Sequence, residues 1–519
     1  MEMVNFAPVM FAGLVVIMLI GFPVAFSLAA LGLGSAFYAI QMGWFPAAFM
    51  GNLPIAIFSI LNNELLLAIP FFTFMGTILE KCGLAEDMLD SMGQLFGPTR
   101  GGIGYSVIIV GFILGAITGT VAGQVIAMAL ISLPVMMKYG YNMRYATGVL
   151  AASGTITQLV PPSLVLVVLA DQLGKPVGDM YKGAWGPSLL QVGMFVIYTF
   201  VLSRMRPSYL PAIPKSERTL DGWALWKKCL RGIIPSAVLI FTVLGSMGGL
   251  PFQSSAIATP TEAGAMGVVG ALVLAAMSRR LSKDLIWQAM TGTMRLTAMV
   301  VFILIGSRVF SQVFQGVDGA KWVEHLLTGL PGGQVGFLIV VNIFVFFLAF
   351  FLDFFEIAFI IVPMLTPVAA KLGIDLVWFG VLLCVNLQTS FMHPPFGFAL
   401  FYLRGIADTL FKDKRIPVPV QSNDIYMGAI PWVLMQIVLV FVVIFVPQSV
   451  TMFLDKEIVV DLDKVQIEMP TEEPVPELEL KPGELPASTD PKDMAAAADK
   501  ATEKSAAEEQ QKIDDLFKK

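Results

Sequence analysis

Residues Pro134–Pro162 read PVMMKYGYNMRYATGVLAASGTITQLVPP, and Pro367–Pro395, 233 residues further on, read PVAAKLGIDLVWFGVLLCVNLQTSFMHPP. Laid over each other without a gap, the two stretches agree at Pro134/Pro367, Val135/Val368, Lys138/Lys371, Gly140/Gly373, Leu150/Leu383, Pro161/Pro394 and Pro162/Pro395. Self-similarity at a fixed offset marks a chain built of two structural repeats. Each copy closes an apolar segment with a Pro-Pro pair. A proline has no N–H and leaves the carbonyl four residues earlier without its helical partner. Thr157 and Gln158 are therefore freed in one repeat, Ser390 and Phe391 in the other.

The medium around these broken segments follows from composition. Hydrophobic residues make up 56% of the chain and charged ones 14%, with a mean hydropathy of +0.77, outside the range of soluble globular chains. Met3–Asn63 holds no charged residue, and similar runs cover Gly101–Met137, Gly232–Thr261, Leu326–Leu352 and Ile425–Leu454. A crossing needs about 20 apolar residues, so several runs hold more than one crossing or a re-entrant element. Phe6–Ala36 reads as a first span and not as a removable signal, because it lacks a basic flank and a small-residue cleavage site. Cys82, Cys229 and Cys384 show no paired spacing and suggest neither a disulfide framework nor a zinc site.

Basic loops orient the chain. Arg204–Arg231, Arg279–Lys283 and Arg404–Arg415 are expected in the cytoplasm; Gln41–Asn63, Asp171–Lys182, Gly248–Glu262 and Val317–Gly333 hold few basic residues and are expected outside. The resulting spans are 6–36, 64–82, 142–172, 184–204, 232–249, 258–278, 292–314, 376–404 and 427–450. Hairpin 101–138 enters and leaves by the cytoplasmic side and hairpin 333–370 by the other, which makes the repeats inverted. The expected fold is thus an all-α polytopic membrane protein of two inverted-topology repeats, each with a re-entrant helical hairpin and a Pro-Pro broken helix. The first repeat occupies 1–204, with broken helix 142–172. A basic linker and connecting span follow at 205–257. The second repeat occupies 258–450, with broken helix 376–404, and an acidic, largely disordered tail runs over 451–519.

Unpaired backbone survives at membrane depth only where it lines a cavity or is packed in protein. Polar residues near both breaks argue for a cavity: Ser153, Thr155, Thr157 and Ser163 beside Pro161 and Pro162, and Asn386, Gln388, Thr389, Ser390 and His393 beside Pro394 and Pro395. Each hairpin also has a polar turn, Thr118-Gly119-Thr120 in the first and Asp353 with Glu356 in the second. Half-helix C-termini and unwound carbonyls suit a sodium ion, half-helix N-termini suit a carboxylate, and paired broken elements in matching repeats point to the site of a secondary transporter. The competing readings are a packed kink for each Pro-Pro pair, hydroxyls bonded to their own helix, and a turn cap for Asp353, although an acid inside a membrane is a functional candidate by default. Glu64, Glu262 and Arg308 are weaker candidates, as interface residues. His393 is expected as a hydrogen-bonded helix residue, since the only other histidine, His325, lies in a different loop.

On the stretches Gly115–Tyr141, Ser153–Ser163, Ala258–Gly267 (ATPTEAGAMG), Phe351–Asp375 and Thr389–Leu400, the chain resembles the large, DctM-like membrane subunit of the tripartite ATP-independent periplasmic (TRAP) transporters over roughly residues 1–450. The resemblance implies an elevator-type secondary transporter of the bacterial inner membrane, working with a small four-span membrane subunit and a periplasmic substrate-binding protein that delivers an organic acid. Sodium would be the coupling ion; no other cofactor and no nucleic acid is implied. It also places Thr118, Gly119, Thr120 and Ser163 where the family's first hairpin tip and broken helix approach ion and substrate, and Asp353 at the acid of the second tip. The chain departs from the family pattern in its TGT turn, in His393 before the Pro-Pro pair and in Phe354 after the tip acid. A single-component sodium/dicarboxylate symporter shares inverted repeats and hairpins and is the alternative. A membrane enzyme would need a motif such as a metal-binding histidine pair, and no Walker A pattern supports an ATP-driven pump.

Overall fold

A computed structural model describes residues 6–218, 222–253 and 255–455, without the side chains of 117, 118 and 215. The described residues are helical with connecting turns and contain no strand, as lipid requires of a chain that must satisfy its own backbone. Among the described residues, eight helices are long and apolar enough to cross a membrane. The expected acidic tail falls mainly on residues outside those described; the described body ends at Asp455, which is ion-paired to the buried Lys182 at 2.8 Å.

The chain opens with α1 (Phe6–Ile20) and α2 (Val24–Gln41). This overturns the expectation of one span over 6–36. Gly21 adopts a φ of +87°, Pro23 starts α2, and the two helices fold back so that the Phe6 ring stacks on Tyr38 at 5.4 Å and meets Trp44 at 5.0 Å. A stretch without charges gives charge counting nothing with which to see this turn. Phe6 consequently lies on the same face as Trp44. After α3 (Leu53–Leu61), α4 (Glu64–Lys81) begins at its cap Asn63, which bonds Asp171, and ends where Lys81 bonds Gln288. An amphipathic helix, α5 (Leu84–Phe96), follows, with Asp87 paired to Arg280 and Asp90 to Lys228.

Next comes the first hairpin, α6 (Gly102–Thr118) and α7 (Val121–Lys138). Its two ends meet at one face: Ile103 N–H donates to the Tyr141 hydroxyl, and Gly101 and Asn142 N–H donate to the carbonyls of Leu210 and Tyr209. The broken helix comprises α8 (Met143–Thr155), a 3-10 turn, the Pro161-Pro162 pair and α9 (Leu164–Leu173). It runs from the face where Arg144 pairs with Asp424 to the face where Asp171 meets Asn63. Then α10 (Val177–Met205) returns, and α11 (Gly222–Ser246), α12 (Pro260–Met277) and α13 (Lys283–Gly316) follow. Lys227, Lys228 and Arg231 belong to the first turns of α11, so the helix that holds the connecting span starts before 232. The string TPTEA has a structural reason: Thr259 caps α12, Pro260 is its first residue, and Glu262 closes a capping box back to Thr259.

The second half repeats the plan in the other direction. After α14 (Gly319–Thr328), the second hairpin consists of α15 (Gly333–Leu348) and a return arm formed by α16 (Phe354–Glu356), a π-turn and α17 (Val362–Lys371). Its mouth closes on the face opposite to that of the first: Gln334 donates to the Leu372 carbonyl and Lys371 pairs with Glu324. The second broken helix, α18 (Leu376–Ser390) and α19 (Phe398–Lys412), runs from there to the basic face, where Arg415 reaches the Leu130 carbonyl. Finally α20 (Ser422–Phe445) goes back, and α21 (Gln448–Thr451) packs on α10.

Two helix groups result. One joins α2, α4, α11, α12 and α13; the other joins both hairpins, both broken helices, α10 and α20; the amphipathic α5 packs on both, against α11 and against α6. Small residues set the close approaches, as they do between helices in lipid. A Cβ on Gly306 would lie 2.3 Å from the Ala25 carbonyl oxygen, and one on Gly148 would lie 2.2 Å from that of Gly428.

Candidate functional site

The two hairpin tips enter from opposite faces and meet in one cavity of about 330 Å³, beside Leu296 and Met299 near the middle of α13. Gly119 and Thr120 of the first tip, Gln158 of the first break, Asp353 of the second tip, and Phe391 and Tyr402 flanking the second break all line it. Gly119 ends α6 at a φ of +65°, a left-handed turn that a Cβ would strain. Four helices begin at this cavity: α7 at Val121 and Ala122, α9 at Leu164 and Val165, the second hairpin's return arm at Phe354 and Phe355, and α19 at Phe398. The first N–H groups of a helix lack intrahelical partners and carry the positive end of its dipole. Their convergence turns four positive dipole ends toward the cavity, although Val165, Phe354 and Ala399 N–H are already taken up by Ser163, Asp353 and the Phe391 carbonyl.

Asp353 caps the return arm, accepting from Phe354 N–H at 2.7 Å, while the Glu356 carboxylate accepts from Asp353 N–H at 2.9 Å. The acid therefore is a turn cap and also opens to the cavity. Gln158 adds an amide oxygen that is buried without a partner. Thr120 has a neighbour from the other helix group: a Cβ on Gly123 would lie 2.8 Å from Glu80 Oε2 and 3.0 Å from Thr120 Oγ1, so only glycine lets the α4 acid come this near the first tip.

Other candidates stand elsewhere. The side chain of Thr118 is outside the described residues, although its backbone ends α6. Ser153, Thr155 and Thr157 are buried and donate to their own helix at Leu150, Ala152 and Gly154; Thr389 and Ser390 do the same at Val385 and Asn386. None of the five lines the tip cavity, because backbone carbonyls one turn away take up their hydroxyls. Asn386 donates to the Asn342 carbonyl at 2.8 Å, and with Thr389 it faces a separate apolar cavity between α15, α18 and α20. Ser163 acts at the break itself, donating to the Gln158 carbonyl at 2.6 Å and capping α9 at Val165. Pro161-Pro162 and Pro394-Pro395 are both joined by cis peptide bonds. His393 differs from expectation: its ring stacks on Phe350 at 5.3 Å and its Nδ1 is buried without a partner.

Sequence reasoning missed the side chains of Gln158, Glu80 and Tyr402. Gln158 carried a signal, four residues before Pro162; Glu80 and Tyr402 reach the site only through tertiary packing. A second cavity, of about 280 Å³, opens toward the face away from the basic loops, between α3, α9, α13 and the return arm of the second hairpin. It holds Ser59, Asn63, Asp171, Ser311 and Arg308, and Arg308 makes no ion pair among the described residues. Asp171 is already bonded by Asn63 at 2.9 Å and Gln172 at 2.8 Å.

A described body that is all helical, with opposed hairpins and broken helices meeting at one cavity, is the architecture of a multi-pass membrane transporter. The chain belongs to the family described as tripartite ATP-independent periplasmic transporter, DctM component, whose pattern it matches over residues 11–449. It is 27% identical to the C4-dicarboxylate TRAP transporter large permease protein DctM of Rhodobacter capsulatus, across 85% of this chain and 97% of that protein. It is 25% identical to the 2,3-diketo-L-gulonate TRAP transporter large permease protein YiaN of Escherichia coli, across 83% and 95%. Among solved structures it is similar to the Alcanivorax borkumensis YdaH transporter, with a TM-score of 0.51 and 15% identity over 78% of this chain and 87% of that one, a likeness of fold. The chain is thus the large permease component of a TRAP transporter and not an enzyme.

Proposed function

We propose that this permease imports an organic acid across the bacterial inner membrane by sodium symport, receiving it from a periplasmic binding protein and working with a small four-span membrane subunit. The observation that carries the reading is the convergence of four helix N-termini with Thr120, Gln158 and Asp353 on one cavity. The N-termini turn the positive ends of their dipoles toward a carboxylate. Thr120 Oγ1, the unpartnered Gln158 Oε1 and the Asp353 carboxylate offer oxygen to a cation beside it. Together they favour co-binding, because each charge lowers the cost of burying the other. The relatives named for C4-dicarboxylates and 2,3-diketo-L-gulonate support an acid as cargo.

The unpaired Arg308 fits as a first contact for an acid arriving at the face away from the basic loops, the face we assign to the periplasm. The oppositely directed halves act as inverted repeats. The hairpin-bearing group moves as an elevator against the group of α2, α4, α11, α12 and α13, exposing the tip cavity to either face in turn. Uptake of radiolabelled organic acids into proteoliposomes tests the reading. Accumulation is expected only with an inward sodium gradient, the small subunit and the binding protein, and without ATP. Uptake by this chain alone would instead establish a single-component symporter.

A further inference from the structure

A large groove lies away from the tips. It lies on the outer surface between α6 and the last turns of α10, holds about 680 Å³, and is walled by Ile109, Val196, Ile197 and Phe200. At its end on the basic face stand Arg100, just before the first hairpin, and Arg204, in the last turn of α10. Both are exposed, and neither makes an ion pair or a hydrogen bond among the described residues; Arg204 lies over the Phe200 ring at 5.2 Å.

We propose that this groove is a binding site for an anionic glycerophospholipid of the leaflet on the basic face. The acyl chains lie against the apolar wall and the phosphate is held between Arg100 and Arg204. Three observations select this occupant. Ile197 and Phe200 are exposed on a surface that a membrane-spanning helix turns outward, so hydrocarbon covers them. The two guanidiniums lack carboxylates although acidic residues are frequent elsewhere on this face, at Glu86, Asp90 and Glu217. The nearby hydroxyls of Thr99 and Ser203 donate to the Phe96 and Phe200 carbonyls and neither accepts from the arginines, which are left to meet an external anion. Basic clusters of this kind at the end of a transmembrane helix recognise phospholipid headgroups. The chemistry is that of a phosphate joined to hydrocarbon, which a free phosphate would satisfy only in part.

The site has a consequence for movement. The lipid would rest on α6, an arm of the first hairpin, and on α10, both in the hairpin-bearing group, so it would travel with that group.

Native mass spectrometry of the purified full chain, with phosphatidylglycerol, phosphatidylcholine or glycerol phosphate added, tests the assignment. Retention of phosphatidylglycerol over phosphatidylcholine is expected, with none for glycerol phosphate. The double substitution Arg100→Gln/Arg204→Gln should lower that preference about tenfold or more, each arginine contributing a factor of roughly five. Lysine at both positions should restore most of it, and Lys227→Gln should not alter it. A photocrosslinker at Ile197 of the otherwise unaltered chain, in membranes, should capture lipid. An unchanged preference in the double variant, phosphate retention equal to that of the lipid, or a crosslinked protein helix at Ile197 would each overturn the assignment.

Discussion

The two halves of the molecule solve the same problem with different chemistry. At the first break, the carbonyl of Gln158 accepts from the Ser163 hydroxyl and the Cys384 thiol, so side chains satisfy it. At the second, Ser390 and Phe391 carbonyls accept the N–H groups of His393 and Ala399, so the backbone satisfies itself. The first Pro-Pro pair is buried, whereas Pro395 and Phe396 are exposed. The tips differ too. The second carries its own carboxylate in Asp353, and the first has Thr120 with a carboxylate, Glu80, brought to it by α4 of the other helix group. Matching positions in a repeat thus preserve the broken backbone and the polar tip, and not the atoms that complete them.

The largest expected effect follows from the second tip. Asparagine caps a helix as well as aspartate does, so Asp353→Asn should keep the return arm folded while removing the charge. Initial sodium-driven uptake should fall roughly a hundredfold at matched membrane levels, since a hydrogen bond to a charged group is worth about 1.5–3 kcal/mol. Wild-type uptake in this variant would reduce Asp353 to a turn cap. Arg308→Gln should lower uptake at limiting substrate about tenfold, through the loss of one charge-assisted contact, and should leave the sodium dependence unchanged. At the first tip, Gly123→Ala pushes a methyl between Glu80 and Thr120, and Thr120→Ala removes the hydroxyl. Each should weaken apparent sodium affinity several-fold, as fits one neutral ligand among several at about 1 kcal/mol. Equal losses from Thr120→Ala and Asp353→Asn would contradict the difference drawn between the tips.

Stability should separate the breaks. Ser163→Ala removes both a cap and one donor to the Gln158 carbonyl and should cost about 1–2 kcal/mol, read as a fall in melting temperature of the detergent-solubilised protein. His393→Ala should leave the second break intact, because only its main chain serves there. The smallest effect lies outside the membrane, where the Lys138 ammonium bonded to Glu217 holds that carboxyl below its ordinary range. A depressed carboxylate pKa adds stability that is present above the ordinary value and is lost as pH falls through the lowered one. Glu217→Gln should therefore change nothing measurable at acidic pH and little at neutral pH, since the pair is solvent-exposed.

Much of this architecture was legible in the chain. The repeat over Pro134–Pro162 and Pro367–Pro395 located both breaks, and uncharged runs covered the first hairpin and the first arm of the second. Thr120 and Asp353, which line the tip cavity, stand out in the sequence because a polar group amid apolar neighbours is visible in one dimension. What stayed hidden was tertiary. Whether Ser153 or Thr389 looks into a cavity or back along its own helix depends on rotation about the helix axis, which an all-apolar segment does not encode. Glu80 sits at the end of a different helix, and only packing brings it to Gly123. The fold-back at Gly21 left no charge on either side to reveal it.

The central claim is that both tips and both breaks form one sodium-responsive site. Alkylation of a single cysteine at Tyr402, which lines the tip cavity and is 40% exposed, tests it most directly. The native cysteines are buried and leave a low background. With Tyr402→Cys in membranes, sodium should slow labelling relative to potassium at equal ionic strength, and adding Asp353→Asn should abolish that difference. Equal rates in the two salts, or sodium protection of Asn386→Cys in the apolar cavity instead, would contradict the account.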